Sequence, residues 1–335
     1  MSRRHIFLVN TGSPDAPTAA AVARYLHRFL TDPNVMPMPA IARRMLVDLC
    51  IVPMRARTAA RRYRSIWTAE GSPLAVHSRR LAAKVSALLP CGFEAHTAML
   101  YGRPSLADAV GSARLGPDDT AIVVPMFPQS SPATTAAVAA AARRIIAPLC
   151  GRMIFAGPFF DDPAFVSAWV GVMRRCRPEA ADAVVFSFHG LPVSMLDRHH
   201  PGHDHRSPAP ESLDAASAGC YRAQCYRTAG LIADDLGLNA GRWTVAFQSR
   251  LSDRWCRPFV ADEVRRLADA GCRRLLIATP AFVADCLETL HELAVELPQT
   301  MGGRCHIRVC PCLNDDDAWA SALTAIALRA AGEDV

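Results

Sequence analysis

Short apolar runs alternate along the chain with stretches in which apolar residues recur every three or four positions. The short runs predict β-strands, because runs of four to eight apolar residues are typical of buried strands. The predicted strands are His5–Asn10, Thr120–Phe127, Met153–Ala156, Ala183–Phe188, Trp243–Gln248, Arg274–Thr279 and His306–Cys310. Strands that alternate with helices predict an α/β fold built on parallel sheets.

The longer periodic stretches predict helices. The predicted helices are Pro17–Leu30, His77–Leu88, Pro132–Ile146, Pro163–Arg174, Thr228–Leu236, Pro258–Ala270, Val283–Glu296 and Ala318–Ala331. Two sets of alternating strands and helices indicate two Rossmann-like lobes, residues 1–155 and 156–335, and the C-terminal segment is expected to pack back. Turn-forming residues cluster at this junction, as at Cys150-Gly151 and Gly157-Pro158.

Composition narrows the classes of function. The chain has 335 residues, of which 51% are hydrophobic and 20% charged, as in a globular protein with a sizeable core. The net charge is +6, but the sequence has no stripe of basic residues with interleaved aromatic residues. We therefore do not expect a nucleic-acid partner. No signal peptide or membrane-spanning run is found. We therefore expect a cytoplasmic protein, and a peripheral membrane contact is left open.

The most distinctive pattern is a series of acids after the predicted strand Arg274–Thr279. The series consists of Asp285, Glu288, Glu292 and Glu296. The last three are four residues apart, so they fall near one face of a helix. Acids four residues apart, without a basic partner, repel each other by a few tenths of a kcal/mol. The pattern therefore indicates a path for a cation or for protons; a solvated helix face is the alternative.

Histidines supply the second pattern. His189 follows the apolar run Ala183–Phe188 and precedes Gly190, which places it at the carboxyl end of a strand, where such folds bind ligands. A neutral imidazole there can ligate a metal or accept a proton, and a histidine bonded to loop backbone is the alternative. The loop 195–219 carries His199, His200, His203 and His205. It is interpreted as a solvated polar loop, with weak metal binding as the alternative. The sequence contains neither a GxGxxG loop nor a P-loop, which argues against a dinucleotide or nucleoside triphosphate site.

Three segments carry a family resemblance: Phe186-Ser-Phe-His-Gly-Leu-Pro192, Phe247-Gln-Ser-Arg250 and Phe282–Leu290. They resemble the motifs of ferrochelatases, and the motifs Val9–Asp15, Glu70–Pro73 and Pro125–Ser131 fit the same family in the same order. The resemblance implies a chelatase-like fold with a porphyrin cleft between the lobes. It also implies insertion of Fe²⁺ into protoporphyrin IX, the terminal step of haem biosynthesis. Coproporphyrin or another tetrapyrrole as substrate, and a non-catalytic porphyrin or haem carrier, are the alternatives.

The resemblance also implies roles for individual residues. His189 and Glu288 would be the catalytic residues and metal ligands on either side of the porphyrin plane, and Asp285, Glu292 and Glu296 would continue the metal or proton route. The implied porphyrin contacts are Asn10, Thr11, Tyr63, Ser72, Trp255 and Phe282, with Arg250 as a weaker candidate. Leu100 stands where the family often has arginine, and Thr11 where it has methionine, leucine or tyrosine. The oligomeric state is not indicated.

Cysteines near the C-terminus suggest a cofactor. Cys305, Cys310 and Cys312 lie close together in the sequence. Some bacterial ferrochelatases hold a [2Fe–2S] cluster with one mid-chain cysteine and three near the C-terminus, and the resemblance implies Cys150 as the fourth ligand. Four thiolates suit such a cluster or zinc, although the spacing matches none of the common cluster signatures. Free thiols are the alternative.

Overall fold

The computed structural model describes residues 3–201, 204–205, 213–214 and 217–333. The strands are β1 (Arg4–Asn10), β2 (Phe93–Met99), β3 (Thr120–Pro125), β4 (Arg152–Phe155), β5 (Ala183–His189), β6 (Trp243–Gln248), β7 (Arg274–Ala278) and β8 (His306–Val309). The helices are α1 (Ala19–Leu30), α2 (Ala40–Leu46), α3 (Val52–Ile66), α4 (Pro73–Leu88), α5 (Leu106–Ala113), α6 (Ala137–Ile145), α7 (Pro163–Arg175), α8 (Val193–His199), α9 (Tyr221–Asp235), α10 (Val260–Asp269), α11 (Leu297–Met301) and α12 (Asp317–Ala331). Short π-helical segments cover Val47–Ile51, Pro132–Ala136 and Glu288–Glu296, and a 3₁₀ turn covers Pro178–Ala180.

The chain divides into two compact units. The first holds Met1–Phe127, Ser131–Pro158 and Asn314–Val335, and the second holds Pro128–Ser130 and Phe159–Leu313. The C-terminal segment belongs to the first unit because α12 packs against α4, β3 and β4. A single cut between residues 155 and 156 therefore does not describe the whole division.

The first unit is built on a four-stranded parallel sheet in the order β2-β1-β3-β4. The central strand β1 is buried from His5 to Asn10, as expected for a parallel strand covered on both faces. The edge strand β2 was missed by the sequence prediction. Only Ala98 and Met99 of β2 are buried, so it lacks the continuous apolar run that reveals a central strand.

The second unit repeats this architecture, with a parallel sheet in the order β6-β5-β7-β8. β5 is buried from Ala183 to Phe188 and pairs with β6 and β7. The prediction of an α/β fold with two parallel sheets is thus confirmed. Because parallel strands end at the same edge of a sheet, the segments after β5, β6 and β7 come together there.

The segment that carries the acids departs from the predicted α-helix Val283–Glu296. It is π-helical over Glu288–Glu296, and the N–H of Leu297 donates to the carbonyl of Glu292, five residues earlier. Pro298 has no N–H, so the α-helical bond to the carbonyl of Ala294 cannot form. The prediction of a regular α-helical face of acids was therefore wrong.

Within the described ranges, no helix combines the length and apolar content that a bilayer crossing demands.

Candidate functional site

His189 is the last residue of β5, and its side chain is half-buried. Its Nδ1 lies 2.7 Å from the carbonyl oxygen of Gly190. Because a carbonyl oxygen only accepts hydrogen bonds, Nδ1 carries the proton of the neutral imidazole and Nε2 keeps a lone pair. The hydroxyl of Tyr221 donates to the carbonyl of His189 at 2.8 Å. These bonds fix the tautomer and the backbone, and they leave Nε2 available to accept a proton or ligate a metal.

Gly190 is required by its neighbours. Its N–H donates to the carbonyl of Gln248 at 2.8 Å. A Cβ on Gly190 would lie 2.8 Å from that oxygen and 3.4 Å from Cε3 of Trp255. The close approach of the two backbones therefore needs a residue without a side chain, and it holds the segment after β5 against the end of β6.

Two aromatic rings lie beside His189. The ring centroids of Trp255 and Phe282 are 6.3 and 6.2 Å from that of the imidazole. Both side chains are half-buried, so each keeps part of its ring exposed. The structure therefore brings these two predicted porphyrin contacts next to His189 and gives the imidazole apolar neighbours.

Glu288 begins the π-helical segment and is half-buried. The side-chain amide of Gln248 donates to the carbonyl of Glu288 at 3.0 Å, and the amide oxygen accepts from the hydroxyl of Ser187 at 2.8 Å. The thiol of Cys286 forms a hydrogen bond with the side chain of Glu288, and burial raises the pKa of that thiol. Gln248 thus links β5 to the first residue of the π-helical segment, and a neutral thiol supports the Glu288 carboxylate.

Glu292 is the acid that the structure places near both Glu288 and His189. The backbone N–H and the hydroxyl of Ser249 each donate to its carboxylate at 2.6 Å. Burial raises the pKa of Glu292, the two Ser249 bonds lower it, the charge of Glu288 raises it and His189 lowers it. Ser249 has a φ of 62°, in the left-handed region that serine rarely adopts. This conformation presents both of its donors to Glu292 and marks a position under local strain.

Asp285 and Glu296 have partners of their own. Oδ1 of buried Asp285 accepts from the hydroxyl of Thr289 at 3.1 Å and from the backbone N–H of Cys312 at 3.3 Å. A carboxylate oxygen of Glu296 lies 3.4 Å from Nε2 of His291. His291 lies between the predicted acids in the sequence, and its role as a partner of Glu296 is visible only in the structure.

The porphyrin contacts predicted from the N-terminal half lie in the first unit. Oδ1 of Asn10 accepts the backbone N–H of Thr11 at 2.7 Å. Tyr63 is buried and packs edge-on against Tyr25, with ring centroids 6.5 Å apart. Ser72 is buried directly before α4 and does not cap that helix. The porphyrin contacts of Asn10, Thr11, Tyr63 and Ser72 stay predictions.

Arg250 and His205 have hydrogen-bond partners of their own. The guanidinium of Arg250 lies 4.2 Å from the ring centroid of Phe259, and its Nη1 donates to Asp253 at 3.2 Å. His203 lies outside the described residues. His205 is buried, and its Nε2 donates to the carbonyl of His200 at 3.1 Å.

The tail cysteines flank β8. Cys305 directly precedes the strand and Cys310 directly follows it. The strand His306–Val309 between them is extended and by itself spans about 10 Å at ~3.3 Å per residue. Thiolates that share a zinc ion are only about 4 Å apart, since each Zn–S bond is ~2.3 Å long. Cys305 and Cys310 therefore do not fit a common ion or a compact iron–sulfur cluster.

The other predicted cluster ligands have separate partners as well. The thiol of Cys310 forms a hydrogen bond with that of Cys176. Sγ of Cys312 lies 3.5 Å from the hydroxyl oxygen of Thr279. Cys150 belongs to the first unit, where its thiol donates to a main-chain carbonyl at 3.6 Å. The predicted set of [2Fe–2S] ligands does not fit this arrangement, because nearness in sequence across a strand is not nearness in space.

Comparison with known proteins places these features in context. The family model described as Ferrochelatase matches residues 3–331. A ferrochelatase of Pseudomonas fluorescens is 38% identical over 340 residues, which cover 98% of this chain and 99% of that protein. One of Pseudomonas aeruginosa is 37% identical and covers 99% of each. Among solved structures, SirB from Bacillus subtilis with Fe³⁺ is similar with a TM-score of 0.53 at 13% identity over 98% of each chain, which supports the fold alone.

Proposed function

Because the chain belongs to the ferrochelatase family and inserts iron into a porphyrin in haem synthesis, we propose that protoporphyrin IX is its substrate and that His189 and Glu288 carry the chemistry. Metallation exchanges two pyrrole protons for one Fe²⁺ ion, so the reaction needs proton acceptors and an anionic donor to the ion. The observation that carries the proposal is the hydrogen bond from Nδ1 of His189 to the carbonyl of Gly190. In the neutral imidazole this bond holds the proton on Nδ1 and leaves Nε2 able to accept one, and Glu292 lies within electrostatic reach of both His189 and Glu288.

His189 acts as the first proton acceptor. Its Nε2 takes one pyrrole proton, and the imidazolium that forms is stabilised by the nearby carboxylates. Trp255 and Phe282 offer their partly exposed rings to the macrocycle, because aromatic faces stack well on a planar π-system.

Glu288 and Glu292 divide the remaining work. Carboxylate oxygens bind Fe²⁺, so Glu288 holds the ion next to the acceptor histidine. Burial and the charge of Glu288 raise the pKa of Glu292, which makes Glu292 a better proton acceptor than an exposed glutamate. Glu292 therefore takes the second proton. Glu296, beside His291, passes it on, while Asp285 anchors the start of the segment through Thr289.

An anaerobic assay tests the proposal. Fe²⁺ is added with protoporphyrin IX or coproporphyrin, and loss of porphyrin fluorescence is followed. We expect His189→Ala to abolish turnover while porphyrin still binds. The control His306→Ala, at an exposed position at the start of β8, should retain wild-type turnover. Near-normal turnover of His189→Ala would contradict the role of His189. A higher kcat/KM with coproporphyrin would replace the proposed substrate.

Of the cofactor prediction, only iron as the substrate is retained, because the cysteine set does not fit a cluster. A cytoplasmic location stays a prediction.

We also propose that the first unit makes a peripheral contact with anionic membranes. Ile41, Leu49 and Met54, in and between α2 and α3, are 76%, 69% and 77% exposed. Exposed arginines such as Arg55 and Arg61 accompany them on α3. Apolar side chains beside basic ones are typical of helices that bind membrane surfaces.

Sedimentation with vesicles tests this contact. We expect the protein to bind phosphatidylcholine vesicles that contain phosphatidylglycerol, and the double variant Ile41→Glu/Met54→Glu to bind at least tenfold more weakly. Leu251→Glu is the matched control, because Leu251 is an exposed apolar residue of the second unit. Equal binding of the double variant and the control would contradict the proposal.

A further inference from the structure

The first unit carries a group of side chains of metal-ligating types on β1 and β2, and none of them belongs to the site around His189. β1 and β2 pair in parallel, with His5 opposite Glu94 and Phe7 opposite His96. Nδ1 of His5 lies 3.0 Å from Nε2 of His96, which in turn lies 3.9 Å from the carboxylate of Glu94. One ligand atom from each of the three residues lies within 4.8 Å of the others. No other such group of three is found within the described part of the chain.

We propose that His5, Glu94 and His96 bind a divalent transition-metal ion of the Zn²⁺ class. Zn–N bonds of ~2.0–2.1 Å in a tetrahedral arrangement place two ligating nitrogens about 3.3 Å apart. The observed separation of 3.0 Å therefore needs to open by only a few tenths of an ångström. The Glu94 side chain is 58% exposed, so an ion can enter from solvent and a water can take the fourth position.

Asp119 supplies the support that a metal-binding histidine requires. His5 is fully buried, and its Nε2 has no hydrogen-bond partner, although a carboxylate oxygen of Asp119 lies 3.7 Å away. The backbone N–H groups of Arg3 and Gly116 hold that carboxylate at 2.8 and 2.9 Å. The carboxylate favours the tautomer of His5 with the proton on Nε2, which leaves the Nδ1 lone pair facing His96. Ligating histidines commonly meet a carboxylate in this way through their second nitrogen.

The two imidazoles are prepared for an ion. The ring of His96 stacks on Phe7 with centroids 5.2 Å apart, which limits its rotation. Without an ion, the two nitrogens can only share one proton, and the buried Nε2 of His5 gains nothing from that bond. The site shares no residue with the His189 group and does not depend on the proposed chelatase mechanism.

Titration with Co²⁺ tests the site, because tetrahedral Co²⁺ has visible absorption bands that report the coordination directly. The full-length protein is used in a His189→Ala/Glu288→Gln background, which removes the two residues proposed as the main ion ligands of the chelatase site. We expect one equivalent of tetrahedral Co²⁺ that Zn²⁺ displaces. His96→Gln should abolish the bands, Glu94→Gln should weaken binding at least tenfold, and Asp119→Asn should weaken it by about 10- to 100-fold. His306→Gln, at an exposed histidine of the second sheet, is the matched control and should bind as the parent does.

Absence of tetrahedral bands in the parent would overturn the proposal, as would Co²⁺ affinities of His96→Gln and Glu94→Gln that both stay within twofold of the parent. Near-ultraviolet circular dichroism checks that each variant is folded. If His96→Gln unfolds, Glu94→Gln decides the question, because the exposed Glu94 side chain contributes little to the core. Iron insertion by His96→Gln in the wild-type background should be unchanged, so loss of this site and loss of the chelatase reaction are distinguishable.

Discussion

Replacing Ser249 with alanine removes one of the two hydrogen bonds that hold the Glu292 carboxylate. The hydroxyl bond of 2.6 Å to Oε2 is lost, and the backbone bond of 2.6 Å to Oε1 remains. Both bonds stabilise the ionised form of Glu292 and so lower its pKa against burial and the charge of Glu288. Ser249→Ala therefore raises the pKa of Glu292 further.

The size of the effect follows from the strength of the bond. A hydrogen bond to a charged group contributes about 1.5–3 kcal/mol. Because Glu292 is only half-buried, water replaces part of the lost bond and the lower end of that range applies. Since about 1.4 kcal/mol corresponds to a factor of ten in an equilibrium constant, we expect Glu292 to bind its proton about tenfold more tightly.

The assay is the pH profile of kcat/KM for Fe²⁺ at saturating protoporphyrin, measured anaerobically from mildly acidic to mildly alkaline pH. If ionised Glu292 accepts a proton, activity on the acid limb falls about tenfold at a fixed pH, because that limb follows the ionised fraction of Glu292. The alkaline plateau should stay within twofold of the wild-type value. Ser252→Ala, an exposed serine of the same loop, is the matched control.

A Ser249→Ala profile that superimposes on that of Ser252→Ala would refute the role of Glu292 as a proton acceptor. Glu292→Gln gives the limiting case: its side-chain amide cannot ionise or accept a proton, so we expect low kcat/KM at every pH.

Two further predictions concern the framework of the second unit. Gly190→Ala should destabilise the fold by about 1–3 kcal/mol and reduce turnover, because its Cβ would lie 2.8 Å from the carbonyl of Gln248. Urea unfolding measures the loss of stability. The control is Gly171→Ala in α7, where a Cβ would meet no other atom, so this change should be neutral or slightly stabilising. Equal effects of the two changes would contradict the steric argument. The pKa of Asp182 is lowered from 3.8 to about 2, first by the backbone N–H of Arg273 and then by the side chain and N–H of Arg274. Because the folded pKa is depressed, this stabilisation is present above the unfolded value of 3.8 and is lost as the pH falls through about 2. Asp182→Asn should therefore lower the urea midpoint at mildly acidic and neutral pH, but not near pH 2, where Asp182 is protonated in the wild type as well. A difference in midpoint that stays the same at every pH would contradict this role of the Asp182 carboxylate.

The sequence by itself determined the architecture and the position of His189. Parallel strands covered on both faces must be apolar at nearly every position, and β5 and β7 show this directly in their residues. The predicted strand Ala183–Phe188 placed His189 at a carboxyl end, where ligands of such sheets bind. The edge strand β2 was not predicted, because it has a neighbouring strand on one side only and so does not need a continuous apolar run.

Only the tertiary structure decided which side chains meet. Ser249 reaches Glu292 because β6 ends beside the π-helical segment. His5 reaches His96 because the parallel register of β1 and β2 sets His5 opposite Glu94, two residues before His96 on the same face of the sheet. Strand geometry also separates Cys305 from Cys310, since the extended strand between them spans about 10 Å. Spacing in the sequence predicts contacts within a helix or along one face of a strand. Contacts across a sheet depend on strand order and register, which the packing of the whole chain sets.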